Sequence, residues 1–457
     1  MTDFVRRILR PPQPDWIIRS LLDGIDFYKF TMGLFIYRFY RGVQVTFGFI
    51  NRHLHIPVAD LIDEGELRAQ LDHVRTLRFL QTEIYYLRGM DVYGEAMFPK
   101  DYLEFLSQLQ MTPYELTRVG NQYKLTFSGP WEVVTFWETI ALPIIMELLN
   151  RKLLRSIAEN SSAGETELRV LYARATDKLY RKLQRLKRRE TIRFADFGLR
   201  RRHSYLWQRF AIQMAGEVMG PNFIGTSNTG LAKLLNLVPI GTYAHELPMV
   251  LTALAESDEE KRDAQYEVLR KWQQLFPKAL RILLPDTYGS QQFYNNMPKD
   301  LAQEVAHDGR GARGDSGNLV EEGNRYVAWL RANGANPREK LYVPSDGLDV
   351  ELMLNLDTTF NGWIQMSDGW GTKLTGDFDG CHPRGEEIAV IDGMQFGLTW
   401  DQLLCGHSIV CKVVSANGKR AVKLSNNIKK ATGPKDEVKR YERVFGNEGR
   451  IEQEVVV

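Results

Sequence analysis

The run Ile192-Arg193-Phe194-Ala195-Asp196-Phe197, closing into Gly198-Leu199-Arg200-Arg201-Arg202, decides the fold. It is a short apolar strand pattern that stops at a glycine and a cluster of arginines, and the helical pattern Ser204–Met219 follows it. The same order of strand, polar loop and helix recurs downstream. Apolar runs at Phe223–Thr226, Ile240–Ala244, Arg281–Pro285, Gly311–Arg313, Leu341–Pro344 and Trp363–Met366 end in loops rich in Gly, Ser, Thr, Asp or Arg. Helical patterns at Leu231–Leu237, Glu259–Leu275, Leu319–Asn333 and Asp349–Leu354 fill most of the intervals. This alternation predicts a parallel α/β barrel or open sheet, with its chemistry at the C-terminal ends of the strands.

On either side of this region the pattern changes. The first part of the chain reads as mixed, with helices at Leu61–Leu80 and Tyr102–Leu109. Strands are expected there at Tyr123–Phe127 and Glu132–Trp137, around a Ser128-Gly129-Pro130 turn. From Leu148 the pattern is helical, through the basic stretch Lys178–Arg189. Past Thr372 the alternation ends. Asp377–His407 is Gly-rich and irregular, Cys411–Val414 and Arg420–Leu424 flank the turn Ala416-Asn417-Gly418-Lys419, and Lys435–Phe445 is a charged helix.

Composition narrows the function classes. A chain of 457 residues, 44% hydrophobic and 25% charged, can bury the cores of two or three domains. A net charge of +2 gives no case for a dedicated nucleic-acid or anionic-membrane partner. Lys178–Arg189, at helical spacing, reads as a solvated helix face. Cys381, Cys405 and Cys411 are far apart, which excludes a disulfide framework or zinc ribbon and fits a reducing compartment. The apolar stretch Ile140–Leu154 is broken by Pro143, Glu147, Arg151 and Lys152, so it reads as a core helix rather than a membrane span. A cytoplasmic location is expected.

The strand ends carry the chemistry. They read Asp196 to Arg202, Gly225-Thr226-Ser227-Asn228, Gly241-Thr242-Tyr243-Ala244-His245-Glu246, Asp286-Thr287-Tyr288, Arg313-Gly314-Asp315-Ser316-Gly317, Ser345-Asp346-Gly347 and Gly369-Trp370-Gly371-Thr372. Glycine lets the backbone approach a phosphate, hydroxyls and N–H groups donate to it, and arginine pairs with it bidentately. Carboxylates on the same rim suit ribose hydroxyls or Mg²⁺. A phosphorylated sugar substrate follows from these residue types. Singly, each loop has a plainer reading: Asp315 or Ser316 as a helix N-cap, His245 as a structural histidine, Gly369-x-Gly371 as a turn. Their recurrence at successive strand ends carries the functional reading. His245-Glu246-Leu247-Pro248-Met249 is not a zinc-protease motif, Arg313-Gly314-Asp315 sits at a strand end rather than on an adhesive loop, and no Gly-x-x-x-x-Gly-Lys-Ser/Thr phosphate loop occurs.

Together with Leu21 to Met32, Ser128-Gly129-Pro130-Trp131-Glu132, Phe136-Trp137-Glu138-Thr139 and Lys423-Leu424-Ser425, these loops resemble the bacterial nicotinate phosphoribosyltransferase family, in order from about residue 20 to 445. The resemblance implies a type II phosphoribosyltransferase fold: an irregular α/β barrel with a second, mixed α+β domain formed from the N- and C-terminal parts. The expected divisions are 1–147, 148–376 for the barrel, and 377–457 with its hairpin returning to the N-terminal domain. The implied reaction joins nicotinate to phosphoribosyl pyrophosphate, giving nicotinate mononucleotide and pyrophosphate in NAD biosynthesis. ATP is a cosubstrate and Mg²⁺ a cofactor, in a homodimer with shared sites. The related nicotinamide phosphoribosyltransferases are the alternative. They carry an aspartate after Gly-Thr, where this chain has Ser227, and a serine can donate to a carboxylate.

Roles carry over by position. Phe197 and Tyr28 would sandwich the pyridine ring, Tyr28 coming from the partner subunit. Arg313, Thr242 and Ser227 would hold nicotinate. Arg200 would bind pyrophosphate and Asp315 the ribose hydroxyls, with Asp26 and Ser316 also assigned to phosphoribosyl pyrophosphate. Asp346, Gly347, Gly371 and Thr372 would cradle the 5′-phosphate. His245 would be phosphorylated by ATP, with Asp286 and Glu246 orienting it. The chain departs from the family pattern at Leu199, Pro285, Gly314, Asn318 and Trp370, none of which has an assigned role.

Overall fold

The computed structural model describes residues 3–455 except 13, 93 and 94. The alternation read from the sequence forms parallel strands at Phe194–Asp196, Phe223–Thr226, Ile282–Leu283, Gly311–Gly314 and Leu341–Pro344. The helices Tyr205–Met219, Asp258–Leu275, Leu319–Ala332 and Val350–Phe360 lie between them. Side chains fix several of the helix starts: Ser204 accepts from the Trp207 N–H, Ser257 from Glu260, and Asp349 from Leu352. Asn318, where the family usually has an acid, also caps its helix by accepting from the N–H groups of Val320 and Glu321.

The parallel strands form two sheets stitched by one segment. Gln365–Met366 pairs with Leu341–Tyr342, and two residues on Asp368–Trp370 pairs with Phe194–Asp196. Ile240–Ala244, expected as a strand, is not one. Thr226 makes only an isolated bridge to Pro239, where Gly225, at φ +143°, lets the backbone approach the Val238 carbonyl. Among the described residues no strand ladder joins this segment to Ile282–Leu283. The architecture is a mixed α/β fold with an N-terminal domain.

That domain contains a five-stranded antiparallel sheet. Gln44–Asn51 is central, flanked by Gln122–Pro130 on one side and Ile409–Ala416 on the other, with Phe47 opposite both Phe127 and Val413. The C-terminal hairpin thus enters the N-terminal sheet. The strand expected at Glu132–Trp137 is instead helical, at Trp131–Val134 and from Trp137 onward. Its β-branched residues suggested a strand, but Trp131, Val134, Phe136 and Trp137 are all fully buried, a pattern with no period-two alternation. The helix Trp137–Glu159 runs unbroken through position 147, and Ile140–Leu154 is core, as expected. The basic helix Gly164–Lys187 is occupied by ion pairs: Lys178 and Lys182 with Asp377, and Arg185 with Glu351.

One buried network crosses these parts. The Lys29 ammonium, fully buried, pairs with Glu138 at 2.6 Å and with Glu246, and donates to Thr135 at 3.1 Å. Trp131 donates to Glu246 at 2.6 Å, and Lys412 pairs with Glu138 at 3.1 Å. Removing one partner of such a pair strands the opposite charge. Lys29→Met should therefore lower the unfolding free energy by about 3–5 kcal/mol, read from guanidinium denaturation. A loss under about 1 kcal/mol, the range of a surface pair, would show that the network does not join the domains energetically.

Candidate active site

Two spaces lie along the parallel strands and share lining residues. One is a mostly apolar cavity of about 800 Å³, lined by Ala195, Ile224, Ile240, Ile282 and Val343, a volume within the range of small-molecule sites. The other is a polar pocket of about 90 Å³ lined by Arg200, Arg201, Ser345, Asp346, Gly347, Gly371, Thr372 and Lys373. Phe197 and Arg313 line both, and so mark their junction.

Each junction residue is held from behind. The Phe197 N–H donates to the Trp370 carbonyl at 2.8 Å. A Cβ on Gly369 would lie 2.4 Å from two carbons of the Phe197 ring, so glycine is what lets the ring lie there. Trp370, bulkier than the family's usual residue, is fully buried and donates its indole N–H to the Leu348 carbonyl at 3.1 Å, which steadies the Asp346-Gly347 loop. Gly314, where the family often has histidine, faces the Tyr342 hydroxyl at 2.4 Å from a would-be Cβ, so no side chain fits. Arg313 pairs with Asp315 at 3.2 Å, while its buried Nε has no partner.

Charge is concentrated and balanced around the polar pocket. Arg200 pairs with Asp26 at 3.3 Å, and its guanidinium lies 5.7 Å from the Tyr28 ring centre. Burial, then the neighbouring cations Arg200 and Arg52, push Arg201 down to about 9. Asp346 pairs with Lys430, and Asp315 accepts from Ser345 at 2.9 Å.

His245 sits in the adjoining wall, 2% exposed. Its Nδ1 meets the Thr287 hydroxyl at 3.0 Å; its Nε2 meets Asp315 at 2.9 Å and the Lys423 ammonium at 2.9 Å. Asp286 stands 3.5 Å from Lys423 and accepts from Ser316 at 2.5 Å. Burial, then Lys423, push the histidine down to about 4, so the ring is neutral at physiological pH. The ligand atoms of His245, Asp286 and Asp315 lie within 4.8 Å of one another. Lys423 already supplies positive charge to that group, and both Asp315 and Asp346 are paired with cations of the chain, so this donor set does not fit a resident metal.

Several expected roles are altered by these contacts. Glu246, adjacent to His245 in sequence, turns the other way, onto Lys29 and Trp131, because it opens a helix whose first turn packs on the N-terminal domain. Ser227 spends its hydroxyl on Asp26 at 2.6 Å and does not line either space, so it offers nicotinate no donor. Asp26 itself, 1% exposed, is taken up by Ser227 and Arg200 and acts on the pocket through that arginine. Ser316 is fully buried between Asp286 and the Asn426 N–H, away from the pocket. Tyr28 is buried beside Arg200 and donates to Glu138 at 3.4 Å; Phe27, not Tyr28, lines the apolar cavity from this chain. Thr242, expected to hold nicotinate, lines that cavity, while its carbonyl accepts from Thr31 at 2.5 Å.

Sequence reading missed Lys423, Lys430 and Arg52 as site residues. None stands at a parallel strand end, and only Lys423 belongs to a family motif. Arg201 and Lys373 lie in or beside the strand-end loops, yet nothing in their spacing sets them apart from solvated charges.

Comparison with known proteins agrees with this geometry. The sequence model of the nicotinate phosphoribosyltransferase (NAPRTase) family matches residues 192–449, more than half of the chain, and the model of that family's N-terminal domain matches residues 24–146. The chain belongs to the nicotinate phosphoribosyltransferase family. It is an enzyme, and the joining of nicotinate to a phosphoribosyl group, giving nicotinate mononucleotide, is its reaction. The crystal structure of nicotinate phosphoribosyltransferase from Vibrio cholerae is similar over 98% of this chain and 97% of its own, at 28% identity and a TM-score of 0.77. That from Porphyromonas gingivalis covers 94% of this chain and all of its own, at 23% identity and a TM-score of 0.75. No helix among the described residues is long and apolar enough to cross a membrane.

If the ring of Phe197 positions the base, crowding it should act on base binding first. Gly369→Ala is expected to raise the KM for nicotinate at least tenfold, about 1.4 kcal/mol, with a smaller change in the KM for phosphoribosyl pyrophosphate. Equal changes in both, by steady-state kinetics, would detach Phe197 from base recognition.

Proposed function

We propose that nicotinate enters the apolar cavity and lies against Phe197, while phosphoribosyl pyrophosphate fills the polar pocket. The observation that carries this reading is the position of Phe197 and Arg313 on both spaces, an aromatic face and a guanidinium at their junction. Arg313, with a buried Nε free of any partner, offers bidentate pairing to the nicotinate carboxylate. That favours nicotinate over nicotinamide, because a carboxylate accepts from the guanidinium as an anion and a neutral amide does not. Asp315 takes the ribose hydroxyls. Asp346, Gly347, Gly371 and Thr372 surround the 5′-phosphate, and Arg200 meets the pyrophosphate, with Arg201 beside it.

The reaction displaces pyrophosphate from the anomeric carbon. The ring nitrogen attacks, the C–O bond to pyrophosphate breaks, and positive charge develops on the sugar ring. Phe197 and Arg313 hold the nucleophile in line, and the arginines stabilise the departing charge. Mg²⁺ would enter on pyrophosphate oxygens and supply further neutralisation of the leaving group.

ATP enters through His245. Neutral, buried and beside the pocket, its ring can accept a phosphoryl group, and the new charge then competes for the arginines that hold pyrophosphate. The strand order, together with a cavity lined by successive strands, supports an irregular α/β barrel at 148–376, with 1–147 and 377–457 sharing the second domain. The family resemblance supports a cytoplasmic homodimer.

Product formation with nicotinate or nicotinamide, each with and without ATP, tests this reading. Mononucleotide from nicotinate, increased by ATP, is expected; product mainly from nicotinamide would reverse the assignment of Arg313. His245→Ala is expected to abolish ATP stimulation while some ATP-independent product remains, and ATP hydrolysis still in step with product would remove His245 from the mechanism. Because the ring titrates near 4 rather than 6.5, stimulation by ATP should hold from neutral pH to about pH 5 and fall only as pH approaches about 4. A fall centred near 6.5 would mean an ordinary, solvated histidine.

A further inference from the structure

One loop of the C-terminal segment carries two cations to the strand ends. Lys423 and Thr432 close it by exchanging backbone hydrogen bonds, from the Lys423 N–H at 3.1 Å and from the Thr432 N–H at 2.9 Å. At its start Lys423 stands 3.5 Å from Asp286 and meets Nε2 of His245 at 2.9 Å. Near its end Lys430 pairs with Asp346, which lines the polar pocket.

Between the two lysines the loop is gripped on two sides. Its N–H groups are served by the strand-end loops. Those of Leu424 and Ser425 donate to the Thr287 carbonyl at 2.9 and 3.1 Å, and that of Asn426 donates to the Ser316 hydroxyl at 3.1 Å. The Asn426 side chain accepts from the Ser290 N–H and donates to the Ser290 hydroxyl, both at 2.8 Å. The loop's carbonyls turn the other way, onto Arg450 and Ile451. Arg450 donates through Nη2 to the Leu424 carbonyl at 3.0 Å and through Nε to the Ser425 carbonyl at 2.9 Å. The Ile451 N–H donates to the Asn426 carbonyl at 2.8 Å. Ser425 stands at φ +65°, a left-handed conformation that a serine keeps only where its surroundings hold it.

Arg450 is itself fixed. Its side chain is 1% exposed, and Nη1 pairs at 3.0 Å with Glu442 of the helix Lys435–Phe445. Its stem passes 3.6 Å from where a side chain on Gly289 would begin. The helix is seated on the strand-end loops by Phe445, stacked on Tyr288 with ring centres 4.0 Å apart. The chain thus leaves the loop, turns through the helix and returns to hold the loop from behind. Without the guanidinium, two buried carbonyls lose their donors and regain them only when the loop lifts to meet water. The two lysines lift with it.

We propose that Arg450 is a positioning residue that holds Lys423 and Lys430 at the polar pocket, and so sets the affinity for the phosphorylated sugar without touching it. This rests on the reading of that pocket as the phosphoribosyl pyrophosphate site. Arg52 donates to the Lys430 carbonyl at 3.3 Å, so the loop keeps a second anchor when Arg450 is lost, and the enzyme still turns over at high sugar concentration.

Arg450→Met keeps the stem and removes the donors. It should raise the KM for phosphoribosyl pyrophosphate about tenfold or more, the scale of hydrogen bonds to a charged group, and leave the KM for nicotinate nearly unchanged. A merely structural role would lower the active fraction, and with it kcat, leaving both KM values alone. Lys430→Met should raise the same KM, and the double variant should fall well short of the product of the two single effects, because both act on one loop. Hydrogen exchange reads the loop directly: in Arg450→Met the amides of 424–428 should exchange roughly tenfold faster or more, while Phe194–Thr226 keeps its protection. Should Arg450→Met not fold, Ile451→Pro, which removes the N–H given to Asn426, puts the same question. Fully multiplicative effects, or a loop that exchanges as in the wild type, would overturn the proposal. A Lys430→Met enzyme with an unchanged KM for phosphoribosyl pyrophosphate would instead overturn the reading of the pocket, and exchange at 424–428 would still decide whether Arg450 holds the loop.

Discussion

A single buried ammonium holds the molecule's parts in register. Lys29 comes from the N-terminal helix Tyr28–Phe39, Glu138 from the long helix Trp137–Glu159, and Glu246 from the helix that begins directly after His245. Lys412, on the strand that returns from the C-terminal segment, closes the set on Glu138. Burying these charges is costly, and an apolar cluster of the same volume would do as well for stability alone. What the charges do is tie the N-terminal helix to the long helix and to the helix that follows His245, through one ammonium shared by two carboxylates. Phe27 and Arg200 take their places at the site beside that tie, the first through its neighbour Lys29 and the second through Asp26.

The alternation of strand and helix from Ile192 to Met366 was legible because both periods are short and local, and each is bounded by glycine or a capping side chain. Residues that line the spaces at strand ends were legible for the same reason: Phe197, Arg200, Arg313, Asp346 and Thr372 all face one pocket or the other. What a sequence does not record is the direction a side chain takes once its backbone is placed. Glu246 follows His245 immediately, yet the turn that starts a helix sends the two in opposite directions. Ser227 and Ser316 have the residue type and the position of substrate ligands, and each is instead captured by a buried aspartate. Ile240–Ala244 is apolar enough for a strand, but the segment pairs only through the single bridge of Thr226 with Pro239. Lys423 and Lys430 arrive from beyond the alternating region, so no rule about strand ends could have found them.

Four of the cations at the site are each set against an acid of the chain. Arg200 has Asp26, Lys430 has Asp346, Arg313 has Asp315, and Lys423 has Asp286. Each acid fixes the position of a base without matching all of its donors. Such pairs are preorganised for anions: the acids hold the cations in place before any phosphate arrives, so little reorganisation is needed when charge develops on a leaving group.

The position of Ile409–Ala416 inside the N-terminal sheet has a consequence for biosynthesis. Gln44–Asn51 pairs with Gln122–Pro130 on one edge and with this late segment on the other. During translation the first edge can close early, while the second stays open until the ribosome has made nearly the whole chain, an interval of roughly 15–60 s at ordinary elongation rates. For that time a strand bearing Val45, Phe47 and Phe49 presents unpaired backbone to the cell, the kind of edge that recruits other strands. Only when Ile409–Ala416 has left the ribosome can that edge close on the chain's own backbone.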